Sequence, residues 1–154
     1  TYDAFDYRES DTVLAGESLV AFDVDDLIVG VATCYDIRFP EQFKELASQG
    51  AQLIVVPTSW ADGPGKLEQW CLLTAARALD STSYILAAGQ SRPGGDAEAG
   101  NPSGPTGIGH STIVDPNGVR MAEAGYEDDI LYADIDPNEV AKTRRALPVV
   151  ATAD

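Results

Sequence analysis

The sequence predicts a layered α/β or α+β sandwich, and three observations carry that expectation. Apolar runs rich in β-branched residues stand at 27–33, 52–56 and 83–88, as expected of strands buried on both faces. Segments with helical spacing lie between them, from Pro40 to Gly50 and from Leu67 to Leu79. Beyond residue 107 the pattern changes to two alternating runs joined through Asn117-Gly118, a strong hairpin signal. Strands that alternate with helices and then give way to a hairpin imply sheet and helix in stacked layers. At 154 residues and 44% hydrophobic, the chain has the length of one domain and enough apolar surface for a core.

The elements follow in order. Residues 1–17 are polar and acidic with no clean period. Ser18–Phe22 reads as a short strand and Asp23–Asp26 as a turn. Leu27–Thr33 is a buried strand. Pro40 suits the first turn of a helix, where its missing N–H is not needed, and Phe43, Leu46 and Ala47 then recur at helical spacing. Gly50 is a plausible stop. Gln52–Val56 is a second strand, ended by Pro57, and Thr58–Gly65 is a loop carrying Trp60. Leu67, Trp70, Cys71, Thr74, Ala75 and Ala78 mark a helix, and Ser83–Ala88 a third strand. Arg92–Gly107 is rich in Gly and Pro and reads as a long exposed loop. His110–Val114 and Val119–Ala122 flank the Asp115–Gly118 turn. Ile130–Ile135 reads as a last strand. Pro137–Leu147 reads as a helix capped by Asp136.

Composition excludes several function classes. With 25 acidic against 10 basic residues the net charge is −15, which argues against a nucleic-acid backbone or an anionic membrane as partner. No apolar stretch nears the roughly 18 residues that span a bilayer. Two cysteines 37 positions apart and one histidine make neither a disulfide framework nor a metal-ligand cluster. Free thiols fit a reducing compartment, so a cytoplasmic location is expected.

Cys34 is the informative residue. It stands where a buried strand ends and shortly before a helix begins, and in sheet-and-helix folds reactive groups collect at such strand tips. A thiolate there is a competent nucleophile if a neighbour takes its proton. The backbone N–H of Tyr35 is the first candidate to face a developing oxyanion. The bland alternative is that Cys34 is a packed apolar residue, as Cys71 on its helix is expected to be. His110, the only histidine, is a conceivable partner for Cys34. Asp36 and Arg38 are placed to brace the turn after Cys34, and Glu41 to sit at the helix start and pair with Arg38. Trp60 is a plausible substrate-binding wall.

Gly30-Val-Ala-Thr-Cys34-Tyr-Asp-Ile-Arg-Phe-Pro-Glu41 resembles the nucleophile motif of the nitrilase superfamily, the carbon–nitrogen hydrolases. Further stretches resemble the family in the same order. They are Tyr2–Ser10, Gly50–Pro57, Gly63–Trp70, Arg77–Asp80, Gly109–Gly118 and Ala133–Asp136, so the likeness runs along essentially the whole chain. The resemblance implies an αββα sandwich, usually paired into larger assemblies, here incomplete at its N-terminus. It implies hydrolysis of a non-peptide C–N bond, amide to acid plus ammonia, through a thioester and without metal or organic cofactor. Within it Cys34 matches the nucleophile, Glu9 a second active-site glutamate and Tyr35 the oxyanion donor. The family's catalytic Lys and general-base Glu match no position in these 154 residues. The chain is therefore expected to be the C-terminal part of a small-amide hydrolase, inactive alone, forming a homo-oligomer or joining the missing N-terminal portion. The competing reading is a scaffold or binding protein that keeps the fold without catalysis.

Overall fold

A computed structural model describes residues 3–4, 7–97 and 104–151. Two short strands, β1 (Asp3–Ala4) and β2 (Tyr7–Arg8), pair antiparallel, and a 3₁₀ turn over Glu9–Asp11 follows. The main sheet has six strands in chain order: β3 (Val20–Val24), β4 (Leu27–Val31), β5 (Leu53–Thr58), β6 (Tyr84–Gly89), β7 (Thr112–Val114) and β8 (Arg120–Glu123). The β4–β5–β6 core is parallel and both flanks are antiparallel. Parallel neighbours need crossover helices, and α1 (Pro40–Ser48) and α2 (Lys66–Ser81) supply them.

Alternation along the strands sorts side chains onto two faces. Ile54, Val56, Ile85, Ala87 and Val114 point toward α1 and α2, where they meet Phe43, Leu46, Trp70 and Ala78 in the main core. Gly30 lies on this face, where a Cβ would stand 3.2 Å from both Leu46 methyls, so glycine lets α1 sit close on β4. The opposite face carries Val29, Leu53 and Tyr84 under Val140 of α3 (Pro137–Ala146). Asp136 caps that helix, its carboxylate accepting from Asn138 N at 2.9 Å. Arg144 pins it to the sheet by donating to Ala51 O at 2.6 Å and Ser83 Oγ at 3.1 Å. Val20, Phe22 and Val24 pair with Val31, Val29 and Leu27 and so share this second face. There they are exposed.

The structure revises several sequence expectations. The first main strand is Val20–Val24 rather than 18–22, because Asp25-Asp26 alone makes the turn and Val24 pairs with Leu27. The second strand stops at Val31 rather than Thr33. Pro57 does not end β5, which continues to Thr58. The nitrogen of Pro57 faces the β4 side, beyond the last bond there, from Ala32 N to Val55 O at 3.0 Å. β5 stays paired with β6 as far as Thr58, and the one rung that Pro57 withholds is the next one to β4. Ile130–Ile135 forms no strand. It crosses the second face, where residues 131–135 line a shallow cavity of about 370 Å³ with Leu86 and Ile113, and its Ile130 and Tyr132 are 73% and 83% exposed. The Asn-Gly hairpin and α2 form as expected. Residues 98–103 of the Gly/Pro segment lie outside the described residues.

Candidate active site

Cys34 opens a 3₁₀ turn, Cys34–Arg38, directly beyond β4. Its φ is +49°. A side chain other than glycine in the left-handed region is strained, and such strain clusters at functional sites. Three neighbours hold the conformation. Thr33 N donates to Asp36 Oδ2 at 2.8 Å, Asp36 N donates to Thr33 O at 3.0 Å, and Gln42 Nε2 donates to the same Asp36 oxygen at 3.3 Å. Asp36 thus braces the turn as its position suggested. From below, Arg77 of α2 is buried and donates through Nε to Ile37 O at 2.7 Å while pairing with Asp80 at 2.7 Å.

The thiol is half-buried and donates to Ser59 O at 3.6 Å. Ser59 lies just past the tip of β5, so the tips of two adjacent parallel strands converge on the sulfur. Its own Oγ donates to Pro105 O at 2.5 Å, and Gly107 N donates to Trp60 O at 2.9 Å. These bonds strap the end of the Gly/Pro segment to the stretch that faces Cys34. Ser59 escaped sequence reasoning, because a backbone carbonyl leaves no mark in residue type.

Tyr35 follows the sulfur in the turn. The turn's own bonds begin at Asp36 N, so the Tyr35 amide stands ahead of them. Arg38 joins Tyr35 to Trp60, its guanidinium lying 5.4 Å from the Tyr35 ring centre and 4.7 Å from that of Trp60. It also donates to Gln69 Oε1 at 3.1 Å, in place of the expected pairing with Glu41. Trp60 is buried, donates to Lys66 O at 2.9 Å and packs on Trp70 at 5.4 Å between ring centres. The structure therefore links Cys34, Tyr35 and Trp60 through one turn and one cation. Glu9 stands on a separate element, at the start of the 3₁₀ turn ahead of β3, half-buried, its carbonyl accepting from Val13 N at 2.9 Å.

Cys34 and His110 are not hydrogen-bonded: the thiol donates to Ser59 O, while His110 Nδ1 meets Glu123 Oε1 at 3.2 Å and its Nε2 has no hydrogen-bond partner among the described residues. Cys71 is not a purely packed residue either, since its half-buried thiol reaches the same Glu123 oxygen at 3.8 Å. Burial pushes the Cys71 thiol above its ordinary range, partly offset by the Arg120 charge. Among the described residues no group of three His, Cys, Asp or Glu side chains is placed to hold a metal ion. Among the described residues no helix is long and apolar enough to cross a membrane.

Comparison with known proteins places this geometry. Residues 1–145 match the carbon-nitrogen hydrolase family. A hydrolase of Mycobacterium tuberculosis H37Rv is 51% identical over 152 residues, covering 97% of this chain and 54% of that protein. Deaminated glutathione amidase of Escherichia coli O157:H7 is 42% identical over 150 residues, covering 97% of this chain and 53% of that enzyme. The chain thus spans about half the length of the curated relatives it matches. Yeast Nit3, of the nitrilase superfamily, superposes with a TM-score of 0.76 at 34% identity, over 93% of this chain and 50% of Nit3. A mutant of an amidase of Nesterenkonia, at TM-score 0.68 and 27% identity over 90% of this chain and 49% of that one, carries the acetamide moiety of fluoroacetamide on its active-site cysteine. The mixed six-stranded sheet with its helices is the α/β fold of these neighbours. By sequence along nearly its whole length, and by fold, this chain belongs to the carbon-nitrogen hydrolases.

Proposed function

We propose that these residues carry the nucleophile of an amidase that converts a small amide to its acid and ammonia. The observation that carries the reading is the strained Cys34 at the tip of β4, half-exposed and aimed at the next strand tip. The Cys34 thiolate attacks the amide carbonyl carbon, and the tetrahedral oxyanion is met by the Tyr35 amide. The C–N bond breaks, ammonia leaves with a proton, and a thioester remains. Water then cleaves the thioester, releasing the acid and restoring the thiol. Glu9 takes the part of the second glutamate, and Trp60 forms a wall of the substrate pocket.

The family's Lys and general-base Glu match no position among these residues, so the 154 residues alone are essentially inactive. Loss of general acid–base help costs about 10²–10⁴-fold, and loss of an oxyanion donor about 10²–10³-fold. The exposed apolar row of Val20, Phe22 and Val24 is the surface that further chain, or a second copy, covers. The activity test is ammonia release from a monoamide of a dicarboxylic acid by the full-length protein. Activity abolished by Cys34→Ala and strongly reduced by Glu9→Gln supports the reading. Turnover that survives Cys34→Ala refutes it, and family-like turnover by the 154 residues alone refutes the claim of inactivity.

A further inference from the structure

His110 is a half-buried imidazole that the proposed chemistry does not use, held in a strained backbone. Its φ is +50°, it follows Gly109 at +63°, and its amide donates to Gly125 O at 2.7 Å. A Cβ on Gly109 would lie 2.3 Å from Gly125 O, so only glycine admits this kink. The kink aims the His110 carbonyl at α2, where it accepts from Trp70 Nε1 at 2.8 Å. An ionised Glu123 can only accept, so Nδ1 carries the proton of the 3.2 Å bond between them. Arg120 holds the other Glu123 oxygen at 3.5 Å.

Two routes run from His110 to the loop that bears Trp60. By the first, its carbonyl fixes the Trp70 indole, which packs on Trp60. By the second, its ring stands edge-on to Tyr126 at 4.6 Å, Arg92 covers that ring at 3.6 Å, and Arg92 pairs with Asp62 at 3.7 Å. Asp62 lies two residues past Trp60. We propose that His110, pinned by Glu123, is a positioning residue that sets Trp60, and through it Arg38 and Tyr35, against Cys34. This rests on the reading of Trp60 as a wall of the Cys34 pocket.

The test reads the indole signals of Trp60 and Trp70 in the full-length protein, each assigned by its Trp→Phe variant. Each indole N–H gives its own nitrogen–proton NMR signal, Trp70 bonded to His110 O and Trp60 to Lys66 O. Glu123→Ala is expected to move both signals. It should also slow Cys34 modification by chloroacetamide, an amide that must fit the pocket, by about three- to tenfold. Reaction with a small methyl thiosulfonate, which needs only an open thiol, should change less than twofold. Glu123→Gln keeps an acceptor for Nδ1 and should restore both signals and most of the rate. His110→Asn tolerates the left-handed backbone but removes the ring, and should reproduce the alanine phenotype. If the Trp60 signal and the ratio of the two reagents stay at wild-type values in Glu123→Ala and His110→Asn, the proposal is overturned. If wild-type Cys34 shows no preference for the amide reagent, the pocket reading fails. Movement of the Trp60 signal then still decides whether His110 positions it.

Discussion

Arg77 offers the sharpest test of how the Cys34 turn is supported. Its guanidinium is buried under the turn, bonded to Ile37 O at 2.7 Å and to Asp80 at 2.7 Å. Arg77→Met keeps much of the aliphatic stem but removes both bonds. The Ile37 carbonyl is then buried without its donor, and a hydrogen bond to a charged group is worth about 1.5–3 kcal/mol. Asp80 is partly exposed, its side chain 39% accessible, so water replaces much of the ion pair and that contribution is only about 0.5 kcal/mol. The sum is about 2–3.5 kcal/mol. In a chain of this size that lowers the melting temperature by about 5–10 °C. Thermal and urea unfolding followed by circular dichroism measures it. Asp80→Asn serves as the control and should lose less than a third as much. If Arg77→Met melts within a degree of wild type, or Asp80→Asn costs as much, the turn does not depend on the bond to Ile37.

Other substitutions test neighbouring parts of the argument. Gly30→Val drives its branches into the Leu46 methyls and is expected to destabilise by about 1–3 kcal/mol, read as a lower urea midpoint. Asp136→Ala removes the cap of α3 and should cost about 1 kcal/mol, with amide exchange accelerated at Asn138. Burial raises the Cys71 thiol, so its folded pKa lies above its unfolded one. The stability tied to its neutral form is complete below the unfolded pKa and is lost as pH rises through the folded one. Its alkylation should therefore begin only at a pH above that of an ordinary thiol, and Arg120→Met, which removes the offsetting cation, should move the profile higher still. A Cys71 profile that matches a free peptide thiol contradicts this.

Much of the fold was legible because local pattern and tertiary role agree. The β-branched runs became β4, β5 and β6. Pro40 opens α1, and Asp136 caps α3. Errors fell where an element's fate is set by a neighbour. Pro57 reads locally as a terminator, yet its own strand runs on beside β6 and only the next rung to β4 is withheld. Ile130–Ile135 has a strand's composition but makes its apolar contacts on the sheet face, with Ile135 packed under α3. At the site, the brace on Asp36 follows from its place in the turn. The Cys34–His110 hydrogen bond is absent for a different reason. Histidine scarcity suggested a partner, and only the three-dimensional path of β8 shows that Glu123 claims that ring. Ser59 and Arg77 act on or through backbone carbonyls, which side-chain identity does not reveal.

Pro57 also has a consequence for the strand beside it. In the parallel ladder the Ala32 carbonyl would next receive an N–H from position 57, and proline has none to give. Zipping between the two strands halts one residue past Val31, and the chain is released from the sheet at the height where Thr33 and Cys34 turn away. The imino acid in one strand thereby fixes the length of the other, and with it the level at which the sulfur leaves the sheet. An ordinary amide at 57 would permit one more rung and draw the thiol's anchor back toward the ladder.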